Sequence, residues 1–503
     1  MVKATRREWI GLAVIALPCA LYAMDLTVLN LAVPQLSKSL QPSASELLWV
    51  IDIYGFMVAG WLITMGTLGD RIGRRKLLMF GAGAFAVSSV IAAFSTTAGT
   101  LIASRALLGL AGATVAPSTL SLIRNMFHDP RERTVAISVW ITSYSVGGAI
   151  GPLIGGVMLE RFWWGSVFLL AVPVMLLVIV LAPILLPEYR DPNAGRADPL
   201  SAAMSLAAIL MAVFGFKRIA EHGVHALAVV SIVAGLVVAV LFVRRQRRLP
   251  DPLLDIRLFE SKMFSTALSI YLLAGIAAFG VYIFIAQYLQ LVLGLSPLAA
   301  GLWTIPWSLG FIVGTLMVPT LAGRMERANL MGSGLLIAAV GFVLVMFASE
   351  TSGLFPIVAG SIIFSIGLSP VFTLTTDIII GSAPPERAGA AAAISETSGE
   401  LGGVLGIAIM GSIGTAVYRA AMANAPEAAR GTLGAALATA DTMPRESAAA
   451  LTSLARDSFL EAMRVTTMIE IAIILVMAAM AFTLLRRNRR TSHVEVPGIA
   501  ALP

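Results

Sequence analysis

Apolar stretches of about 20 residues recur from Trp9 to Leu485, separated mostly by short polar breaks. A helix of that length crosses the ~30 Å hydrocarbon core of a bilayer. No water satisfies backbone polar groups there, so only helices and closed barrels can span it. The blocks do not alternate in polarity as barrel strands do, which leaves helices. Composition agrees: 13% of the 503 residues are charged, against about 25% in soluble domains. The chain reads as an all-α polytopic membrane protein.

The blocks predict fourteen helices, at 9–33, 46–68, 77–95, 99–123, 134–158, 165–186, 199–220, 226–243, 263–289, 298–322, 331–348, 354–380, 389–415 and 462–485. Lys3, Arg6 and Arg7 precede the first block in the manner of a signal peptide. Its run from Trp9 to Val33 exceeds the roughly 7–15 residues of a signal core, so it is read as a retained helix. Fourteen crossings place both termini on one side. Putting that side in the cytoplasm assigns most of the 35 Lys and Arg residues to cytoplasmic segments, including Arg71/Arg74/Arg75/Lys76, Arg244/Arg245/Arg247/Arg248 and Arg486/Arg487/Arg489/Arg490. That asymmetry is the positive-inside pattern. It also accounts for the net charge of +7 without any nucleic acid. Cys19 is the single cysteine, and His128, His222, His225 and His493 are scattered, so neither a disulfide nor a metal site is expected. No nucleophile–base pair emerges, so no catalytic residues, enzyme activity or cofactor are expected.

An offset of about 254 residues aligns Trp49 with Trp303 and Glu132-Arg133 with Glu386-Arg387, and brings Arg71 within one residue of Arg324. One residue further, Gly147, Gly148 and Gly151 fall on Gly402, Gly403 and Gly406. The expected organisation is therefore a six-helix bundle over 1–190, an inserted helix pair with a basic linker over 191–262, a second bundle over 263–490, and a tail over 491–503. Residues 416–461 form a long, Ala-rich extracellular connection inside the second bundle. Two related bundles with a site between them suit alternating access.

Three motifs carry mechanism. Gly66-Thr-Leu-Gly-Asp70-Arg71-Ile-Gly73-Arg74-Arg-Lys76 is a glycine-rich loop in which Asp70 either caps the next helix or pairs with arginines across the bundle interface. Gly147-Gly-Ala-Ile-Gly151-Pro152-Leu-Ile-Gly155-Gly156 gives the fifth helix a small-residue face for close approach. Arg105 lies deep in the fourth helix, where a charge faces a cavity or a carboxylate. Intramembrane acids complete the set: Asp25 and Asp52, in the outer halves of antiparallel helices, and Glu396 and Glu400, one turn apart on one helix face. Such acids exchange protons or attract a lipophilic cation; the alternative for each is a salt bridge or a cap. For Glu46, Asp377 and Glu470, nearer helix ends, the structural role is favoured. Trp49, Tyr54, Trp61, Tyr144, Phe279, Tyr282, Trp303 and Trp307 are candidates for a substrate-lining surface by stacking and cation–π contact.

The glycine-rich loop resembles the loop signature of the major facilitator superfamily, and the Gly-Pro motif resembles that of its proton-coupled antiporters. With Trp163-Trp-Gly-Ser-Val-Phe168, Pro173 and Pro252-Leu-Leu-Asp-Ile-Arg-Leu-Phe259, residues 8–490 are similar to the 14-helix drug:proton antiporter branch, and within it to exporters of quaternary ammonium compounds, biguanides and dyes. The resemblance implies a gate network around Asp70 and Arg74, proton transfer involving Arg105, and proton and cation coupling through Asp25, Asp52, Glu396 and Glu400. It further implies a monomer in the bacterial inner membrane that exports cationic drugs, driven by the proton gradient. Peptide symporters of the superfamily carry Glu-x-x-Glu-Arg in helix 1, where this chain has Met24-Asp-Leu-Thr-Val. The rival readings are an exporter of a metabolite or lipid precursor, and a receptor that keeps a transporter fold without transport.

Overall fold

A computed structural model describes residues 3–190, 198–249, 252–254, 256–382 and 388–485. The expected matches at Glu386 and Arg387, the arginines from 486 onward and the tail lie outside them. The first group of helices is α1 (Arg6–Leu40), α2 (Ala44–Ile72), α3 (Arg74–Ala93), α4 (Ala98–Gly112), α5 (Val115–Met126), α6 (Pro130–Arg161), α7 (Ser166–Leu169) and α8 (Ala171–Leu185). A pair follows, α9 (Pro199–His222) and α10 (Ala226–Gln246). The last group is α11 (Lys262–Gln287), α12 (Pro297–Ala322), α13 (Arg327–Met346), α14 (Phe355–Gly381), α15 (Ala388–Ala421), α16 (Leu433–Ala440) and α17 (Arg445–Met480). Thirteen segments of the described residues are long and apolar enough to cross a membrane. With α6, 32 residues long, the crossings number fourteen.

Two predicted helices are interrupted. The fourth breaks at Ala113–Thr114 into α4 and α5, where the Thr114 hydroxyl turns back to the Ala111 carbonyl at 2.7 Å. The sixth starts as the short α7 before α8. The connection over 416–461 is largely helical: α15 continues to Ala421, α16 fills its middle, and α17 begins at Arg445. Alanine, the best helix former, extends both long helices past the membrane, and Pro426 and Pro444 bound the turns between them.

Within the first group, α1 packs on α6 and α8, and α4 on α2 and α3; within the last, α11 packs on α15 and α17, and α14 on α12 and α13. The groups meet where α2 packs on α15 and α6 on α12. These meetings hold the molecule shut at the end away from the chain termini. Gly156 of α6 lies against Pro297 and Leu298, Gly411 of α15 against Leu48 of α2, and Gly434 of α16 against Ser37 of α1. At the terminal end, Asp70–Arg74, Arg75–Glu188 and Arg327–Asp377 are ion pairs within single groups. α9 belongs to neither group; it packs on α10, α2 and α15 and covers their seam. α10 exposes Val230, Val233, Leu236, Val237 and Val240, a face suited to lipid.

Candidate functional site: buried ion pairs beside an acidic helix

Close packing of small residues positions the first acid. Gly147, Gly151 and Gly155 share one face of α6, and a Cβ on any of them would strike Ala20, Thr27 or Val28 of α1. α1 therefore lies directly on α6. That presents Asp25 to α4, where Arg105 Nη1 donates to Asp25 Oδ2 at 2.5 Å. Arg105 is 1% exposed, and its Nε and Nη2 donate to the carbonyls of Val50 and Ile51 at 3.1 and 3.4 Å. Its guanidinium also stands 4.8 Å from the Tyr54 ring centroid. One cation thus ties α1, α2 and α4 together. Asp25 borders a cavity of about 20 Å³ with Phe85 and Phe168, room for about one water.

Asp52, the residue after Ile51, has a different partner. Lys217 of α9 donates from Nζ to Asp52 Oδ2 at 2.7 Å, with both side chains fully buried. The same ammonium lies 3.9 Å from the Trp49 ring centroid. A desolvated cation–π contact contributes about 2 kcal/mol. Asp52 Oδ1 is buried without a hydrogen-bond partner among the described residues. Asp25 and Asp52 thus sit in separate pairs on either side of the 50–52 backbone.

Sequence reasoning did not identify Lys217. The signal was present as an ionisable residue inside the 199–220 block, but the adjacent Arg218 made it look like a flanking charge at a helix end.

Glu396 and Glu400 project from α15 with no basic partner among the described residues. Glu396 is exposed, Glu400 half-buried beside the Tyr22 hydroxyl of α1. Tyr22 stacks edgewise on Tyr144, which in turn contacts Trp140. Of the other expected lining residues, Phe279 is exposed and borders Gly403 of α15, whereas Tyr282 packs on Trp307 at 4.9 Å. Trp303 is exposed on α12. Trp61 joins Trp49 and Phe56 in an apolar cluster with Leu206 and Val213 of α9 and Val404 of α15. Tyr54 departs from expectation: it is 0% exposed inside the first group, claimed by Arg105 and by close contact with Gly109 and Gly112 of α4.

Asp70 neither caps α3 nor crosses between groups. Arg74 Nε and Nη2 donate to its Oδ1 at 2.9 and 2.5 Å, and Nη1 donates to the Pro117 carbonyl. Gly73, at φ +114°, makes the turn that returns Arg74 to Asp70, and Gly69 gives the Arg74 side chain room. The Arg71 carbonyl accepts from Arg190. Among the acids expected to be structural, Glu46 closes a capping box with Ser43, and Asp377 pairs with Arg327 at the surface. Glu470 differs: it is fully buried beside Gly280 and Met410, with neither oxygen partnered among the described residues.

Two bundles closed at one end, a helix across their seam and ionisable side chains buried between spans describe a multi-pass membrane carrier, not an enzyme. The comparisons agree. The chain belongs to the Major Facilitator Superfamily, whose family model matches residues 15–407. It is 42% identical to the multidrug efflux pump LfrA of Mycolicibacterium smegmatis, over 96% of this chain and 98% of that one. It is 36% identical to the methyl viologen resistance protein SmvA of Salmonella typhimurium, over 96% of this chain and 100% of that one. Among solved structures, a bacterial homologue of the lysosomal transporter Spinster, inward-facing and unoccupied, superposes with a TM-score of 0.69 at 19% identity, over 97% of this chain and 98% of that one.

Proposed function

We propose that the protein is a proton-coupled multidrug antiporter that exports cationic amphipathic compounds, such as quaternary ammonium compounds, dyes and biguanides, across a bacterial cytoplasmic membrane. It works as a monomer with both termini in the cytoplasm, alternating the bundles over 1–190 and 263–490 around a central site. The observation that carries this reading is the pair of buried ion pairs, Asp25–Arg105 and Asp52–Lys217, on one side of a seam whose other side bears Glu396 and Glu400. Acids in such surroundings hold a proton or a cation, and an exchanger's core must bind each in turn. The two named relatives, a multidrug efflux pump and a methyl viologen resistance protein, support export of drugs.

Protons load the acids while the site faces outward. After the site turns inward, a cation from the cytoplasm or inner leaflet displaces them and is carried out. The Asp70–Arg74 loop would join the cytoplasmic gate when the site faces outward, since here its ion pair stays within the first group, and α16 with the extended α17 closes the outer side. Each positive charge carried out works against about 2.3 kcal/mol per 100 mV of inside-negative potential, so a divalent substrate calls for more than one proton per cycle. Inside-out vesicles with an acid interior test the reading. Adding ethidium or a quaternary ammonium compound should release protons through the wild type and not through Asp25→Asn. Absence of release with several cations and folded protein overturns it, and points to an endogenous metabolite as cargo.

A further inference from the structure

We infer that Lys217 is a tethered cation, which fills the Asp52–Trp49 subsite in the unloaded carrier and is displaced when a substrate cation enters. The inference rests on the cation-export reading above. The geometry is that of a cation site: a carboxylate oxygen 2.7 Å from the ammonium, and an indole face 3.9 Å from it. A carboxylate and an aromatic face are what a lipophilic organic cation requires. Among the described residues Oδ1 of Asp52 has no hydrogen-bond partner, so Lys217 engages only one of the two carboxylate oxygens. Around it, Phe56, Trp61, Leu206, Val213 and Val404 form an apolar patch that matches an amphipathic body.

The location fits as well. α9 lies across the seam between α2 and α15, so a group on α9 can leave this subsite without breaking either bundle. Lysine suits withdrawal, because its charge sits on a flexible four-carbon stem, whereas a guanidinium fork holds two-point geometry. The contrast with Arg105 is informative. Among the described residues Arg105 makes three hydrogen bonds that tie three helices together, and Lys217 makes one, to Asp52. Isolated buried ion pairs are often no more stabilising than apolar residues of similar size, so fastening α9 does not by itself call for this pair.

The test measures binding of tetraphenylphosphonium to the purified full chain in lipid nanodiscs. Removing the tether with Lys217→Met should lower Kd at least tenfold, and adding Asp52→Asn should abolish that gain. An unchanged or higher Kd in folded Lys217→Met overturns the inference and leaves a structural pin. A second measurement uses the unaltered protein and does not depend on that variant folding. Saturating tetraphenylphosphonium should raise acylation of the Lys217 amine by a water-soluble reagent several-fold, read by mass spectrometry, because displacement brings the amine to water. Labelling that stays the same or falls overturns it. A wild type that exports cations yet fails both measurements removes only the tether; a wild type that neither binds nor exports any cation removes the export reading with it.

Discussion

The contact between α1 and α6 gives a sharp test, because two adjacent glycines should respond oppositely to the same change. A Cβ added at Gly147 would collide with the Ala20 carbonyl oxygen and stand 2.7 Å from that residue's Cα, whereas ordinary contact begins at 3.4 Å. The obstacle is backbone, so no side-chain rotation relieves it. The helices must separate locally by about an ångström or more, and overpacking of this kind costs about 1–3 kcal/mol. A Cβ at Gly148 meets nothing within 4 Å. There alanine brings only its better helix propensity, worth up to about 1 kcal/mol. Unfolding of the purified protein by SDS, followed by circular dichroism, should therefore show Gly147→Ala less stable than wild type by about 1–3 kcal/mol and Gly148→Ala equal or slightly more stable. Displacing α1 also moves Asp25 relative to Arg105, so Gly147→Ala should slow transport and Gly148→Ala should not. Equal stability of the two variants, or the reverse order, would refute the packing argument.

Arg105→Met strands the Asp25 carboxylate and removes an added donor from the helical carbonyls of Val50 and Ile51, and breaking such a buried pair should cost about 3–5 kcal/mol. Arg105→Lys keeps the charge and should lose less; equal unfolding midpoints for the two would contradict this. Asp198 caps α9 through Ser201 and pairs with Arg245; burial opposes ionisation, but hydrogen bonds from Ser201 and attraction to Arg245 outweigh it and hold the carboxyl below its usual value. Its contribution is therefore present at neutral pH and lost as pH falls through the carboxylate range. Asp198→Ala should cost about 1 kcal/mol at pH 7 and progressively less in acid, with a pH-independent difference as the refuting result. At the closed end, a Cβ at Gly434 would lie 3.0 Å from Ser37 Cβ, and the one native cysteine, Cys19, is buried. Oxidising the double variant Ser37→Cys, Gly434→Cys should stop transport until a reductant is added; continued transport in the oxidised protein would show that α16 moves with α1 instead of closing the outer mouth.

Much of this fold is legible because each crossing carries its own signal. A block of apolar residues must be helical in lipid whatever its neighbours do, so each predicted span coincides with a helix or a consecutive pair of helices among α1 to α17. Most ends shift by a few residues, whereas α17 starts at Arg445, well ahead of the predicted 462. The shifts have local causes. Alanine and charged residues carry α15 and α17 beyond the hydrocarbon region, where hydropathy no longer marks a boundary. The site was less legible, because partners are set by helix packing. Asp25 and Asp52 stand out as acids in apolar blocks, but nothing in their spacing shows that one faces α4 and the other α9. Tyr54 misled for the same reason: on α2 it belongs with Trp49 and Trp61 by sequence, yet its ring points into the first bundle toward Arg105.

What packing adds is a link between the two acids. Arg105 holds the carbonyls of Val50 and Ile51, and the next residue is Asp52, so one turn of α2 carries the consequences of both pairs. If a proton neutralises Asp25, Arg105 loses its counter-charge and its hydrogen bond to that side chain becomes one to a neutral acceptor, weaker than the charged pair. A buried guanidinium in that condition is costly, and its relief requires a shift of Arg105 or of α2. A shift of α2 moves Asp52 and Trp49 against Lys217 on α9, a helix that both bundles touch. Under the proposed exchange, proton arrival at Asp25 would be coupled to the proposed cation subsite through the backbone of a single turn, without direct contact between the two carboxylates.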